Sequence, residues 1–301
     1  MKLSTSTNIC AFSAGRARYP MIFCIEECAK AGFKYLDINF CEAMNPTSRM
    51  RDDDWEKYVE QLAETGKRCG VVFTQSHLPY YDIFKNDELD KTMEELIRRS
   101  IIASSRLGVK WTVTHPGTVY SAGQDMSVSL EKNFEYYSKH VKTAKEYGIG
   151  IALENDFEYK SPPYQHIFCS NIYEQVKLID SFNDREHVGA CYDFGHANLV
   201  GGFHRQNLKV LGNRLKAIHV QDNKGLADEH FLPFHGNIDW KEAMAGLADI
   251  GYEGELTYEI QEWGRFYPKE LKYLVAEYSI KVGKVLISYF DEAVKQKNLA
   301  K

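Results

Sequence analysis

Short apolar or β-branched segments alternate with longer segments of helical spacing along the whole chain, and this alternation constrains the fold most. The strand candidates, in chain order, are Leu3–Asn8, Tyr35–Phe40, Gly70–His77, Val109–His115, Gly150–Asn155, Val188–His196, Leu215–Asp222 and Glu255–Ile260. Helices are predicted near residues 20–31, 52–66, 88–107, 127–147, 171–182, 203–213, 239–249 and 269–290. Strict alternation of strand and helix predicts a parallel sheet.

The helix candidate at 239–249 has boundary signals at both ends. Asp239 is a typical N-cap residue, and Glu242 follows it at the spacing of a capping box. Gly251 comes just after the helix, where glycine commonly supplies the left-handed residue that ends it. These signals favour a helix of about 11 residues that leads into the eighth strand.

Eight strand–helix repeats predict closure into a (β/α)₈ TIM barrel. An open doubly wound sheet is the alternative, but it usually has fewer strands and often carries a glycine-rich phosphate loop after the first one. Here the segment 13–20 reads SAGRARYP and contains no GxGxxG. A chain of 301 residues fits one barrel, and no linker or shift in composition divides it. We therefore expect a single TIM-barrel domain over residues 1–301.

Charge and cysteine usage narrow the function classes. The net charge is −5 and there is no long basic run, which argues against nucleic-acid binding. No segment approaches the roughly 18 apolar residues of a membrane span, and the N-terminus lacks the apolar core of a secretory signal. The seven cysteines form no CxxC pair, as is typical of free thiols in a reducing compartment. We expect a cytoplasmic protein that binds neither nucleic acid nor membranes.

Ionisable side chains gather at the carboxyl ends of the strand candidates from the third onward. In a TIM barrel these ends share one mouth, where active sites are built. Each residue alone is as well explained by a structural hydrogen bond. Together they are costly to bury without a shared cation or substrate. The residues are His77, His115, Glu154, Asp193, His196, His219, Asp222 and Glu259.

The chemistry of this set indicates a divalent metal. Carboxylate and imidazole ligands without thiolate suit Mn²⁺, Mg²⁺, Co²⁺ or Zn²⁺. A metal with open positions would chelate two oxygens of a hydroxyketone and act as a Lewis acid on its carbonyl. Carboxylates at the rim would then remove and return the neighbouring proton, which gives isomerisation or epimerisation.

Six motifs of the chain resemble those of the xylose isomerase-like barrel superfamily. Within that superfamily, their pattern is most similar to that of the sugar phosphate isomerase/epimerase group. The motifs extend over essentially the whole chain. They read SHLPY (76–80), THPGT (114–118), ALEND (152–156), YDFGHANL (192–199), IHVQDNKGLADEHFLPFHGNIDW (218–240) and LTYEI (256–260). By the pattern of the ketose 3-epimerases in that group, the resemblance implies that one metal is held by Glu154, Asp193, His219 and Glu259. It also implies that the two glutamates are the acid/base pair.

The resemblance further implies the substrate contacts. His196, three residues after Asp193, matches a substrate-binding histidine of such enzymes. Glu158 follows Glu154 at a spacing where some relatives have a substrate-contacting glutamate. The pocket would be lined by His77, His115 and His230.

Two positions in the last two loops are also singled out. Arg265 follows the eighth strand, in a region that often holds phosphate in barrels, and is a candidate anion contact. Residues 233–240 read PFHGNIDW where many members of the group read PGxGxxDW. We assign His235 to the place of the first glycine of that pattern.

The function implied is a metal-dependent isomerase or epimerase of a small sugar or polyol, with a homo-oligomer common in the group. A lyase or dehydratase on an inositol-type ketone, a subunit of a glycoside-cleaving complex and a barrel that only binds a sugar remain alternatives, although an intact Glu154/Glu259 pair argues against the last. The rival from the same superfamily is endonuclease IV, a trinuclear zinc enzyme that cleaves at abasic DNA sites. Its additional ligand motifs are matched by His77, His115, His196, Asp228 and His230. The acidic net charge favours the sugar enzyme.

Overall fold

Eight parallel strands form the centre of the structure. The computed structural model describes residues 1–13, 17–85, 89–123, 125–158 and 165–299. The strands are β1 (Leu3–Ser6), β2 (Tyr35–Asn39), β3 (Val72–His77), β4 (Trp111–Thr114), β5 (Gly150–Glu154), β6 (Val188–Asp193), β7 (Leu215–His219) and β8 (Leu256–Tyr258). They pair in the order β7-β6-β5-β4-β3-β2-β1-β8.

Backbone contacts just beyond β7 close this sheet into a barrel. Val220 N donates to Thr257 O (2.8 Å), and Glu259 N donates to Val220 O (3.1 Å). A parallel bridge between Val220 and Tyr258 joins the last two strands. The predicted TIM barrel is therefore confirmed, with strands a few residues shorter than the sequence pattern indicated.

Helices follow the strands and cover the outside of the barrel. Those of the described residues are α1 (Met21–Ala31), α2 (Trp55–Cys69), α3 (Leu89–Arg106), α4 (Met126–Glu146), α5 (Ile172–Ser181), α6 (Phe194–Leu199), α7 (His204–Leu211), α8 (Trp240–Ile250), α9 (Gln261–Gly264) and α10 (Lys272–Leu299). The eight predicted helices are all present, and the short α6 and α9 were not predicted. In the part of the chain that is described, no helix has the length and apolarity needed to cross a bilayer.

The predicted extension of the sixth strand to His196 is wrong. β6 ends at Asp193, and the Asp193 carboxylate accepts the backbone N–H of His196 (2.7 Å). This is an N-cap bond, which satisfies a free donor of the first helical turn and starts α6 at Phe194. The turn places His196 beside the strand end rather than beyond it.

The boundary signals of α8 are largely confirmed. The Asp239 side chain accepts the backbone N–H groups of Lys241 and Glu242 (both 3.1 Å), and Gly251 ends the helix with φ +70°. In a capping box, the Glu242 carboxylate would accept the backbone N–H of Asp239, but the bond observed for Glu242 is a different one. Its carboxylate instead accepts the backbone N–H of Arg205 (3.1 Å) and ties α8 to the start of α7.

Small side chains fill the barrel interior just below its mouth. Val113, Ala152, Cys191 and Ala217 form a buried cluster against Trp111. Because side chains alternate along a strand, each member of the cluster points to the same face as the residue two positions later. Those residues are His115, Glu154, Asp193 and His219. Below the mouth, the side of the interior formed by β4 to β7 is therefore apolar, and the polar ends of these strands form the layer above it.

All seven cysteines are unpaired, as the sequence predicts for free thiols. Cys41 and Cys69 are half-buried, and the other five are buried.

His140 gives a test of how burial couples this fold to pH. It lies in α4 against the rings of Tyr136 and Tyr137, and burial lowers its pKa to about 3. Below about pH 6.5 the unfolded chain binds a proton here that the folded chain does not, so the free energy of unfolding falls by about 2 kcal/mol from pH 7 to pH 5. We expect His140→Leu to lessen the fall in the urea midpoint between these pH values. Parallel pH profiles of the variant and the wild type would contradict this.

Candidate metal centre at the mouth of the barrel

Four side chains from neighbouring strand ends meet at the centre of the mouth. Glu154, Asp193 and His219 are the last residues of β5, β6 and β7, and Glu259 directly follows β8. One ligand atom from each lies within 4.8 Å of those of the other three. The first three residues are fully buried, and Glu259 is 7% exposed. The structure thus brings together the four residues that the resemblance assigned to one metal.

The donor atoms of this cluster fit a divalent cation. His219 Nδ1 lies 2.9 Å from Glu154 Oε1 and 3.5 Å from Glu259 Oε2. Among the described residues, Glu154 Oε2 and Asp193 Oδ2 are buried without a hydrogen-bond partner. Three carboxylates in one buried cluster repel each other and lose hydration, which a shared cation would offset. Burial raises the pKa of Asp193 to about 7, because the buried carboxylate loses its hydration.

A second cluster adjoins Glu154 on the side of β3 and β4. The Glu154 Oε2 atom lies 3.3 Å from His115 Nε2 and 3.6 Å from His77 Nε2. These two imidazole nitrogens are 3.3 Å apart. His77 Nδ1 donates to Leu78 O (2.7 Å), so a neutral His77 directs the lone pair of Nε2 toward Glu154. Burial lowers the pKa of His115 to about 3 and favours its neutral form. These three residues are a possible metal-binding group.

A third cluster is formed by His196, Asp228 and His230. Asp228 Oδ2 lies 2.6 Å from His230 Nε2 and 3.6 Å from His196 Nε2. The other ring nitrogens donate to backbone carbonyls, His196 Nδ1 to Asn155 O and His230 Nδ1 to Glu259 O (both 2.9 Å). Against the effect of burial, the two imidazoles hold the pKa of Asp228 well below its usual range.

The loop after β7 connects the third cluster to the first. Gln221 Nε2 donates to Asp228 Oδ1 (2.6 Å) and to Asp193 Oδ1 (3.2 Å). Asp222 is fully buried and shapes the rest of this loop. Its carboxylate accepts the backbone N–H groups of Asn223, Phe234 and Ile238 and the indole N–H of Trp240.

Asp222→Ala is expected to lower the free energy of unfolding by about 3 kcal/mol, because it leaves several buried donors without an acceptor. Urea denaturation measures this effect. Asp249→Ala is the matched control, since Asp249 pairs with Arg205 on the surface and its loss should cost below about 0.5 kcal/mol. Equal stability of the two variants would show that Asp222 does not organise the loop.

The assignment of His235 to the place of the first glycine in the family pattern is wrong. Phe234 has φ +75°, in the left-handed region that favours glycine, whereas His235 has no positive φ. In the pattern PGxGxxDW the first glycine directly follows the proline, so Phe234 occupies its place. The Phe234 ring is half exposed and packs edge-on against Tyr289 (6.4 Å between centroids).

A cavity of about 390 Å³ opens above the three clusters. None of the described residues that line it is Lys or Arg. Two arginines contact lining residues without lining the cavity themselves: Arg18 donates to Asn8 (2.8 Å), and Arg265 donates to Glu262. The lining residues are Asn8, Phe12, Asn39, Cys41, His77, Tyr80, His115, Asp156, Phe157, His196, Asp228, His230, Glu259, Gln261 and Glu262.

Two predicted substrate contacts do not line this cavity. The Glu158 carboxylate contacts His166 and accepts the Ser170 hydroxyl (2.7 Å), and it borders a different surface cavity of about 570 Å³. Arg265 forms an ion pair with Glu262. The substrate roles of Glu158 and Arg265 stay predictions that the geometry of the cavity does not support.

Sequence reasoning missed three buried polar residues in the mouth or directly below it. Gln221 was not assigned a role, although it lies between two of the clusters. Asp156 lines the cavity, and burial raises its pKa to about 6. Asp37 is a fully buried carboxylate in β2, 3.5 Å from His219 Nε2. The available signal for Asp37 was an acidic residue inside the otherwise strand-like segment YLDIN.

Comparisons with known proteins agree with this architecture. A family model described as the xylose isomerase-like TIM barrel matches residues 25–277. An uncharacterized protein of Methanocaldococcus jannaschii is 33% identical over 242 residues, which cover 75% of this chain and 80% of that protein. Fructoselysine 3-epimerase of Escherichia coli O157:H7 is 21% identical over 258 residues, 83% of this chain and 88% of that protein.

Two further matches are a curated endonuclease and a solved structure. The probable endonuclease 4 of Bacillus licheniformis is 26% identical over 197 residues, 61% of this chain and 60% of that protein. The crystal structure of a D-tagatose 3-epimerase-like protein superposes with a TM-score of 0.75 at 24% identity, over 98% of this chain and all of that one. The chain has the fold of these sugar epimerases, and it belongs to the xylose isomerase-like TIM barrel family.

Proposed function

We propose that the protein is a divalent-metal-dependent isomerase or epimerase of a sugar or polyol ketone. The observation that carries the proposal is the cluster of Glu154, Asp193, His219 and Glu259 at the mouth, with two glutamates in one ligand set. Bound there, a divalent cation would polarise the substrate carbonyl and acidify the neighbouring C–H group.

The residues of the mouth would carry out proton transfer and substrate binding. Glu259 lines the cavity, and Glu154 lies deeper, next to the imidazoles of His77 and His115. One of these carboxylates removes the proton from the carbon next to the carbonyl, and the other delivers a proton to the opposite face. His196 and His230 line the cavity and would contact substrate hydroxyl groups there.

The charge of the cavity supports a small hydroxylated substrate. The described lining residues supply acids, imidazoles and amides but no Lys or Arg, whereas phosphate recognition commonly relies on cations. The names of two matched proteins also point to sugars: fructoselysine 3-epimerase and a D-tagatose 3-epimerase-like protein.

The experiment that tests the proposal is proton exchange in D₂O. The protein is loaded with Mn²⁺ or Co²⁺ and incubated with D-tagatose, D-psicose and D-fructose. NMR is expected to show deuterium at the carbon next to the carbonyl and the appearance of the epimer. An unsaturated product formed by loss of water would indicate a dehydratase instead, and no exchange with any ketose would contradict the proposal.

A second candidate, an abasic-site endonuclease, is favoured by one observation. Beside the four-residue cluster, His77 and His115 share Glu154, and His196, Asp228 and His230 form a third group, so nine residues offer three adjacent metal sites. The absence of Lys and Arg among the described cavity residues argues against a DNA substrate. Zinc-loaded protein is expected to leave a duplex with an abasic site intact. Cleavage at that site would favour the endonuclease.

A further inference from the structure

Asp37 is a fully buried carboxylate one layer below the mouth. It lies on β2, two positions before Asn39, whose side chain lies at the strand end. Asp37 Oδ2 accepts Gln75 Nε2 (2.8 Å), and Oδ1 has no hydrogen-bond partner among the described residues. No described Lys or Arg forms an ion pair with it. A buried carboxylate in this situation is costly unless another group donates to it.

The sheet is locally irregular where Asp37 lies. Leu36 pairs with Phe73, but Asp37 pairs with Gln75, so Thr74 is an extra residue in β3. Such bulges redirect side chains and are frequent beside active sites. Here the shift in register sets the Gln75 amide next to Asp37, where it orients the carboxylate.

The remaining group that faces Asp37 is the imidazole of His219. His219 Nε2 lies 3.5 Å from Asp37 Oδ2, and both side chains are fully buried. The opposite ring nitrogen, Nδ1, faces Glu154 and Glu259 (2.9 and 3.5 Å). A carboxylate accepts and cannot donate, so without a cation the 2.9 Å contact with Glu154 holds the proton on Nδ1, and Nε2 makes no hydrogen bond among the described residues. If a cation takes the lone pair of Nδ1, the ring proton lies on Nε2, and Asp37 Oδ2 is the carboxylate that faces it.

We propose that Asp37 is a positioning residue of the metal centre: it accepts the Nε2–H of His219 and thereby holds Nδ1 as a ligand beside Glu154 and Glu259. This inference rests on the proposed function, since it concerns the same metal cluster. Partners of this kind fix the orientation of a ligating histidine and raise its basicity, and their loss commonly weakens metal binding about 10- to 100-fold.

The test is metal affinity, measured by titration of the metal-free protein with Mn²⁺ and Co²⁺. Asp37→Asn is expected to raise the Kd about 10- to 100-fold and to change the visible spectrum of the Co²⁺ form. Thr257→Val is the matched control, because Thr257 is also fully buried in a strand and its hydroxyl has no hydrogen-bond partner. Its Kd and Co²⁺ spectrum should equal those of the wild type.

If Asp37→Asn does not fold, Asp37→Leu removes the acceptor and the buried charge together and is expected to give the same loss of affinity. Wild-type affinity and an unchanged Co²⁺ spectrum in a folded Asp37 variant would overturn the inference and leave the proposed function intact. A wild-type protein that binds neither metal would instead contradict the proposed function, and the role of Asp37 would fall with it.

Discussion

Glu154→Gln and Glu259→Gln are each expected to lower kcat by about 10³-fold or more. Glutamine keeps the size of the side chain but can neither take up nor deliver a proton, and it is a poorer ligand for a hard cation. Both losses act on the same step. The measurement is kcat on the ketose found active, together with the rate of solvent deuterium exchange at the reacting carbon.

Glu158→Gln is the matched control for these variants. It makes the same chemical change four residues after Glu154, but the structure places Glu158 against His166 and Ser170, outside the central cavity. We expect turnover close to that of the wild type. Circular dichroism must show a folded barrel for all three variants. Near-wild-type turnover in folded Glu154→Gln or Glu259→Gln would contradict the mechanism.

Removal of metal is expected to have the second large effect. Chelation should abolish turnover, and adding back the correct ion should restore it. A cation that binds only the folded chain at 100 times its Kd stabilises it by about 2.7 kcal/mol, which corresponds to a rise in Tm of about 5 °C. Thermal unfolding with EDTA, Mn²⁺, Co²⁺, Mg²⁺ or Zn²⁺ measures this shift.

Asp193→Ala separates binding at the four-residue cluster from binding elsewhere. The variant keeps every histidine of the mouth but loses one ligand, so the metal-dependent rise in Tm should shrink strongly. Unchanged turnover after chelation would contradict metal dependence. Equal metal-dependent stabilisation of the variant and the wild type would contradict binding at the four-residue cluster.

Most of the barrel could be predicted from local sequence patterns, because strand-like and helix-like segments alternate strictly along the chain. The convergence of Glu154, Asp193 and His219 followed from one geometric rule, that parallel strand ends share a mouth. The exact strand ends were harder to predict. Asp193 belongs to an apolar strand segment, yet its side-chain bond to the N–H of His196 begins a helix.

Contacts between distant parts of the chain explain the other differences. Glu158 was placed by its spacing from Glu154, but in a loop spacing does not fix direction, and His166 and Ser170 bind its carboxylate. Asp37 shows its role only beside His219, which lies far along the chain. Phe234 illustrates a backbone effect, since a bulky residue occupies a left-handed position where the family pattern has glycine.

The metal centre is tested most directly by the metal content of the purified chain, measured by elemental analysis after metal loading and extensive dialysis. The wild type should retain about one Mn, Mg, Co or Zn per chain, and Asp193→Ala should retain far less. About three zinc ions per chain would contradict a single-metal epimerase and favour the endonuclease. A chain that retains no metal, and binds none on titration, would contradict the metal centre itself.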